Sequence, residues 1–323
     1  MRPVGEETLE KSEPRGSKSR RLAASAYRPG TLVVALGVAG FALLLYLRTL
    51  APTVLYHERP ELIDAAMLQV HASVLGITHP TGYPTWTMLA HLFTYLPFGD
   101  PAYRINLAST VFGATAVFLL FFAGLRLSGR IWAAAAGSLA FAVGSTFWSQ
   151  AVIAEVYTLN AAFVSLVVLT LLLWRDTRKD RYLLAAAFFM GLSLTNHVTS
   201  GLLLPTAALF VCAVDYRKLL DRRLVLKTTG LFLLGLTPYL YLPIRASMKP
   251  SRREAEPTSL TEFLNFVSGR DFTVLLRIGA GEIPSRLASF WGYLQEEFTS
   301  GSCSWRRSGS SRCSQRTARE RCS

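Results

Sequence analysis

Residues 105–125 read INLASTVFGATAVFLLFFAGL, without one charged side chain. An α-helix rises about 1.5 Å per residue, so about 20 apolar residues cross the roughly 30 Å hydrocarbon core of a bilayer. This run meets that length, and the same rule finds it repeated along the chain. Candidate spans cover residues 31–50, 105–125, 131–148, 155–174, 182–196, 200–214 and 228–245. The whole chain of 323 residues is 51% hydrophobic and 17% charged, with a mean hydropathy of +0.31. Soluble domains carry about 25% charged residues. The fold class expected is therefore an all-α integral membrane protein, a polytopic bundle of about seven spans.

The net charge of +13 is distributed as an orientation signal. Lys and Arg crowd the short loops on one side: seven of these residues between Arg2 and Arg28, then Arg126 and Arg130, then Arg175, Arg178, Lys179 and Arg181, then Arg217, Lys218, Arg222, Arg223 and Lys227. The opposite loops hold Arg59 and Arg104. Basic loops stay on the cytoplasmic side, so the N-terminus is expected inside and residues 51–104 outside. Such a distribution argues for no nucleic-acid partner. Residues 1–30 form a basic tail, too long for a signal-peptide n-region and followed by no small-residue cleavage site, so the first apolar run is expected to remain as a helix. Cys212, Cys303, Cys313 and Cys322 make neither a zinc spacing nor a disulfide framework.

Under this topology all five histidines, His57, His71, His79, His91 and His197, fall on the outer face, as do Glu58, Glu61, Asp64, Asp100 and Glu155. Ionisable groups beside a bilayer are costly and are commonly retained for function. The first outer loop, 51–104, is too long for a simple connector. LIDAAMLQVHASVLG (62–76) and PTWTMLAHLFTYLPFG (84–99) carry helical periodicity but are too short to span, so two interfacial amphipathic helices are expected, joined by the Pro/Gly-rich turn GITHPTGYP. Residues 246–300 form an outer amphipathic segment. Residues 301–323, rich in Ser, Arg and Cys without apolar periodicity, are expected to be disordered and read like a truncated or out-of-frame end.

A wider pattern joins these pieces. The runs APTVLYHERPELIDAA, LGITHPTGYPTW, LPFGDPAYRINLAS, FWSQAVIAEVYTLNA, GLSLTNHVTSGLLLP and TPYLYLPIRA resemble, in this order and over about residues 45–275, a bacterial family of membrane proteins. That family shares its domain with the vertebrate transmembrane O-mannosyltransferase acting on plexin-type receptor domains. The resemblance implies a C-type glycosyltransferase fold, with a carboxylate of the first outer loop serving the chemistry and a polyprenyl phosphate sugar as donor. The family's Asp-Ser-x-Glu is matched by Glu58, Arg59, Pro60 and Glu61, with Glu58 a longer substitute for the aspartate and Arg59 replacing a small hydroxyl. His79, Pro80 and Gly82 match its His-Pro-x-Gly. Glu155 and Tyr157 match its Ala-Glu-Val-Tyr, Asn196 and His197 its Asn-His, and Arg245 the arginine closing Tyr-Leu-Pro-x-Arg.

Transfer of a sugar to a hydroxyl needs a base for the acceptor proton and cationic help for the leaving phosphate. Glu58 and Glu61 are the catalytic candidates. Arg59, His79, Gly82, Glu155, Tyr157, Asn196, His197 and Arg245 are the substrate-binding candidates, Arg245 as a fork of donors to phosphate. Each has a plainer reading beside it: a solvated ion pair at 58–61, a helix cap at His79, turn hydrogen bonds at Asn196 and His197, the helix dipole at Glu155, an interfacial anchor at Arg245. His71 and His91 read as packing residues. A divalent metal is left open; His57-Glu58-x-x-Glu61 is not a zinc-protease motif. The expected function is a multi-pass enzyme of a bacterial cell membrane that moves a sugar, mannose first, from polyprenyl phosphate to an outer protein or glycan acceptor amid membrane lipid. The alternative is a non-catalytic transporter or lipid-binding protein, or an inactive fragment of the transferase.

Overall fold

The computed structural model describes residues 29–55, 60–257, 259–270 and 280–299, the side chains of 60–62, 280 and 296–299 excepted. The basic tail, Glu58, Arg59, the side chain of Glu61 and residues 301–323 lie outside the described residues. In chain order the helices are α1 (Pro29–Thr49), α2 (Pro60–Val74), α3 (Pro84–Leu92), α4 (Pro101–Ser128), α5 (Ile131–Val143), α6 (Ser145–Ala151), α7 (Tyr157–Thr177), α8 (Arg181–Leu194), α9 (Leu203–Asp215), α10 (Arg217–Leu220), α11 (Arg222–Gly235), α12 (Tyr241–Ser247), α13 (Leu260–Val267) and α14 (Ile283–Thr299). Short 3-10 turns join some of them. The described residues contain no strand, only an isolated parallel bridge between Ile77 and Arg253.

Local chemistry explains the ends of the central helix. Asp100 accepts a hydrogen bond from the Tyr103 N–H at 2.7 Å, and Pro101, which has no N–H to leave orphaned, takes the first turn. Gly129, at φ 67°, closes α4 in the left-handed region. The same logic starts α13, where Ser259 and Glu262 form a reciprocal capping box.

Five of the described helices are long and apolar enough to cross a membrane: 29–49, 101–128, 157–177, 198–215 and 222–247. A sixth span forms only if α5 and α6, bent by 66° at Gly144, are taken together. The fifth candidate, 182–196, is the 14-residue α8, about 21 Å long at the usual rise and too short to cross unaided. The expected seven thus become five clear spans or six with the bent pair. Gly144 breaks the third candidate, and a Thr-Asn turn stops α8 early.

α4 is the hub. It packs on α1, α2, α5 and α7, while α8 lies between α7 and α11. Ala35, Val38, Ala42 and Tyr46 of α1 are buried against α4 and α5, but Leu32, Val33, Leu36 and Leu44 of the same helix are exposed. A helix apolar on every side, with large aliphatics left outside, suits a lipid surround. The two loop helices do more than skim an interface. Leu68 and Ala72 of α2 and Trp86 and Ala90 of α3 are buried with Ile105 and Ala108 of α4.

The connections sort to two ends of the bundle. At one, Arg126 lies buried 3.6 Å from Asp176, and Lys218 donates to Asp180 at 2.9 Å. At the other, the segments around Ala51, 76–83, 151–157, 194–199 and 245–254 meet.

Candidate functional site

Polar side chains of α4 build the floor of this second end. Asn106 donates to the Ala51 carbonyl at 3.0 Å, and Thr110 to the Ala151 carbonyl at 2.7 Å. Ser109 both accepts from the Glu155 N–H (3.0 Å) and donates to the Glu155 carbonyl (3.1 Å). That clamp fixes Glu155, which is buried, just ahead of the first turn of α7. Asn196, fully buried, donates to the Val156 carbonyl at 3.2 Å and ties the end of α8 to the start of α7.

The His-Pro-x-Gly turn packs into this frame. Gly82 donates to the His79 carbonyl at 2.8 Å and sits at φ 87°, where a side chain would strain the backbone. Its Cα face abuts Leu242 and Phe266: a Cβ there would fall 2.8 Å from an atom of each. The next residue, Tyr83, is also left-handed (φ 42°) and buried, and it opens α3. Its hydroxyl lies 3.0 Å from His79 Nε2 and 3.3 Å from the Pro80 carbonyl. Its ring stacks on that of His197, with centroids 5.9 Å apart and planes within 6°, and His197 in turn meets Tyr157 at 5.3 Å.

His197 has a defined tautomer by its bonding. The Thr199 N–H donates to Nδ1 at 3.3 Å and the Thr199 hydroxyl lies 2.7 Å from the same nitrogen. Nδ1 is thus an acceptor, and the ring proton belongs on Nε2. Burial first, then nearby His79, push the imidazole below its ordinary value of 6.5. The ring is therefore a neutral donor at neutral pH. Histidine-labelled NMR in detergent is expected to show His197 titrating below 6.5, and His79→Gln to move that midpoint upward because a like charge is removed. A midpoint unmoved by His79→Gln would mean the two rings do not sense each other. Because the folded value is depressed, this histidine's contribution to stability is complete above about 6.5 and is lost as pH falls from there through the folded value.

Of the sequence candidates, His79, Gly82, Glu155, Tyr157, Asn196 and His197 come together at this end. Arg245 is placed apart from them in role: Nε donates to the Leu75 carbonyl at 2.8 Å and Nη2 to Val74 at 3.1 Å, so the guanidinium caps the C-terminus of α2. His71 and His91 bond the Met67 and Ala72 carbonyls, each at 2.7 Å, in keeping with packing roles. Glu58, Arg59 and the Glu61 side chain lie outside the described residues, although the backbone of Glu61 falls in the first turn of α2. Among the described residues no group of three His, Cys, Asp or Glu side chains is placed to hold a metal ion.

Two groups, Tyr83 and Glu254, escaped the sequence reading, and a third, Asp64, was placed on the outer face without a role. Tyr83 is four residues beyond His79, a spacing that would have flagged it. Asp64, exposed on the first turns of α2, and Glu254 both lie near enough to raise the Tyr83 phenol, after burial itself and Tyr157. Glu254 had no local signal. It returns through the bridge in which Ile77 N–H donates to the Arg252 carbonyl (3.2 Å) and Glu254 N–H to the Ile77 carbonyl (2.9 Å), and its carboxylate stands 3.7 Å from His71 Nε2.

Residues 64–220 match the family described as the protein O-mannosyl-transferase TMEM260 N-terminal domain. The matched stretch contains Asp64, His79, Tyr83, Glu155, Tyr157 and His197. The chain is 36% identical over 214 residues to protein O-mannosyl-transferase TMEM260 of Mus musculus, covering 62% of this chain and 30% of the mouse protein. It is 26% identical over 197 residues to the Dictyostelium discoideum protein O-mannosyl-transferase tmem260, covering 55% of this chain and 24% of that relative. The chain thus spans less than a third of the length of these curated relatives. No solved structure gives a significant match. A multi-pass helical protein similar to O-mannosyl-transferases is what the sequence and the fold jointly support.

Proposed function

We propose that the chain is a membrane glycosyltransferase, moving mannose from a polyprenyl phosphate carrier to a hydroxyl of an extracytoplasmic protein. The end of the bundle bearing His79 and His197 is its active face, directed away from the cytoplasm. In the reaction the acceptor oxygen bonds to the sugar C1 while the C1–O bond to phosphate breaks. The acceptor proton passes to a carboxylate, Glu58 or Glu61 by position in the motif, and polyprenyl phosphate leaves as the anion. The neutral Nε2–H of His197 is a donor for a phosphate or sugar oxygen.

One observation carries this reading. Three segments far apart in the chain bring His79, Glu155 with Tyr157, and His197 to one end of a bundle of membrane-length helices, inside the stretch that matches a transferase domain. Among the described residues His79 Nδ1 and His197 Nε2 have no hydrogen-bond partner, so both remain available to a ligand. Both rings are half-buried, so these nitrogens face the open side of the site.

The test is donor turnover. Purified protein in detergent or nanodiscs, given radiolabelled polyprenyl phosphate mannose and an acceptor domain, is expected to release polyprenyl phosphate and label the acceptor. Glu61→Gln is expected to lower the rate by about 10²-fold or more, the usual worth of a positioned base. Flux of a solute across vesicles with the donor left intact would replace the transferase with a transporter.

A further inference from the structure

We propose that Tyr83 is a positioning residue that fixes the tautomer of His79 and holds the His79 and His197 rings as one unit. The inference rests on the transferase reading above for its catalytic consequence, but its geometry stands alone.

Three contacts of one side chain make the argument. The Tyr83 hydroxyl meets His79 Nε2 at 3.0 Å and the Pro80 carbonyl at 3.3 Å, and the ring lies parallel to His197 at 5.9 Å. A phenol has one proton to give. A carbonyl can only accept, so when the hydroxyl donates to Pro80 it must accept from His79, and the proton of that ring is then on Nε2. Nδ1 is left as a lone pair, free among the described residues to accept from a ligand hydroxyl. When the hydroxyl donates to Nε2 instead, Nδ1 carries the hydrogen and becomes a donor. Only the first arrangement makes both contacts hydrogen bonds, with the hydroxyl donating to Pro80 and accepting from Nε2–H, so Tyr83 leaves Nδ1 as the basic nitrogen, the role that the partner of the second nitrogen plays in histidine chemistry generally.

The residue is set rigidly for this task. It is buried, its backbone is left-handed, and it opens α3 against Thr195, whose carbonyl accepts from the Thr85 N–H at 3.3 Å. Asp64, Glu155, Glu254 and Tyr157 surround it. Together with burial they keep the phenol protonated, so it acts as a neutral O–H throughout the working pH range. A tyrosine used only as filler would need the ring and not the hydroxyl.

Tyr83→Phe separates the two roles, because it keeps the ring on His197 and deletes the oxygen. With the full chain in detergent, kcat is expected to fall about 10- to 100-fold, the range seen when an outer partner of a functional histidine is lost. KM is expected to change little, and the acidic limb of the pH–rate profile to shift. In 15N-histidine NMR the His79 nitrogens are expected to change from one fixed tautomer to an averaged pair, with His197 little altered. Unchanged His79 shifts in Tyr83→Phe overturn the proposal. Should that variant not accumulate, wild-type protein decides: averaged His79 nitrogens there overturn it, and one locked tautomer upholds it. The spectra need no substrate. Absence of mannose transfer by wild-type protein would therefore count against the transferase reading, while the tautomer result judges Tyr83 by itself.

Discussion

Gly82→Ala is expected to lower mannose transfer by about 100-fold while leaving the helical circular dichroism of the protein unchanged. Two costs meet at this position. With φ at 87°, an alanine is strained by the left-handed backbone, roughly 1–2 kcal/mol for a residue with a Cβ. The new methyl would also stand 2.8 Å from Leu242 Cδ2 and from Phe266 Cε1, closer than van der Waals contact allows. Both neighbours are ends of side chains that can rotate, so the helices stay in place, and it is relief of the left-handed backbone at Gly82 that moves the turn. Tyr83 follows Gly82 directly, and Gly82 holds the carbonyl of His79, three residues earlier, by a 2.8 Å hydrogen bond. A displacement of about 1 Å at reacting groups costs about 10²-fold in rate even where the fold survives. Donor turnover alongside circular dichroism checks this. Wild-type rates in Gly82→Ala would mean that the turn carries no site.

The sequence made the architecture legible in outline because bilayer thickness imposes a length that apolar runs must meet. Residues 105–125 and 31–50 fell inside observed helices for that reason. The runs 131–148 and 182–196 differ from straight spans because composition reports neither a bend nor an early stop. Gly144 splits the first by 66°, and the Thr195–Asn196 turn ends the second after Leu194. The amphipathic periods at 62–76 and 84–99 gave the two loop helices, yet not that Leu68 and Trp86 would be buried against α4. Period locates an apolar face without naming what covers it. At the site, the short motifs identified His79, Glu155 and His197. What no motif contained was the return of residues 252–254 to Ile77, which brings Glu254 beside His71, and the diversion of Arg245 to the end of α2. Both depend on backbone groups engaged across 170 or more positions, and carbonyls and amides are the same in every residue. Fold was thus readable where the solvent dictates it, and the site where a side chain is itself the reagent. Partners that act through main chain were hidden.

The second large effect is on stability. Gly191→Ala is expected to lower the thermal midpoint in detergent by about 3 °C, with Gly235→Ala similar. α8 and α11 cross here at backbone contact. A Cβ on Gly191 would lie 2.2 Å from the Phe232 carbonyl oxygen and 3.1 Å from Gly235 Cα, and a Cβ on Gly235 would lie 2.3 Å from the Phe188 carbonyl oxygen. These are main-chain atoms of helices and cannot rotate away, so the pair must separate by about 1 Å. Small residues permit such approach between helices in lipid, where close packing replaces the hydrophobic drive. Alanine gains about 1 kcal/mol in helix propensity over glycine. Overpacking costs about 1–3 kcal/mol and more when backbone must shift, and here the opening also loosens Met190 and Leu224 from their shared core with Phe232. The steric term wins by about 2 kcal/mol, which is about 3 °C in a protein of this size. Gly137→Ala is the internal control: on α5 a Cβ would meet nothing within 4 Å, so propensity acts alone and the midpoint is expected to hold or rise. A Gly191→Ala midpoint at or above that of Gly137→Ala would show that α8 and α11 do not cross this closely.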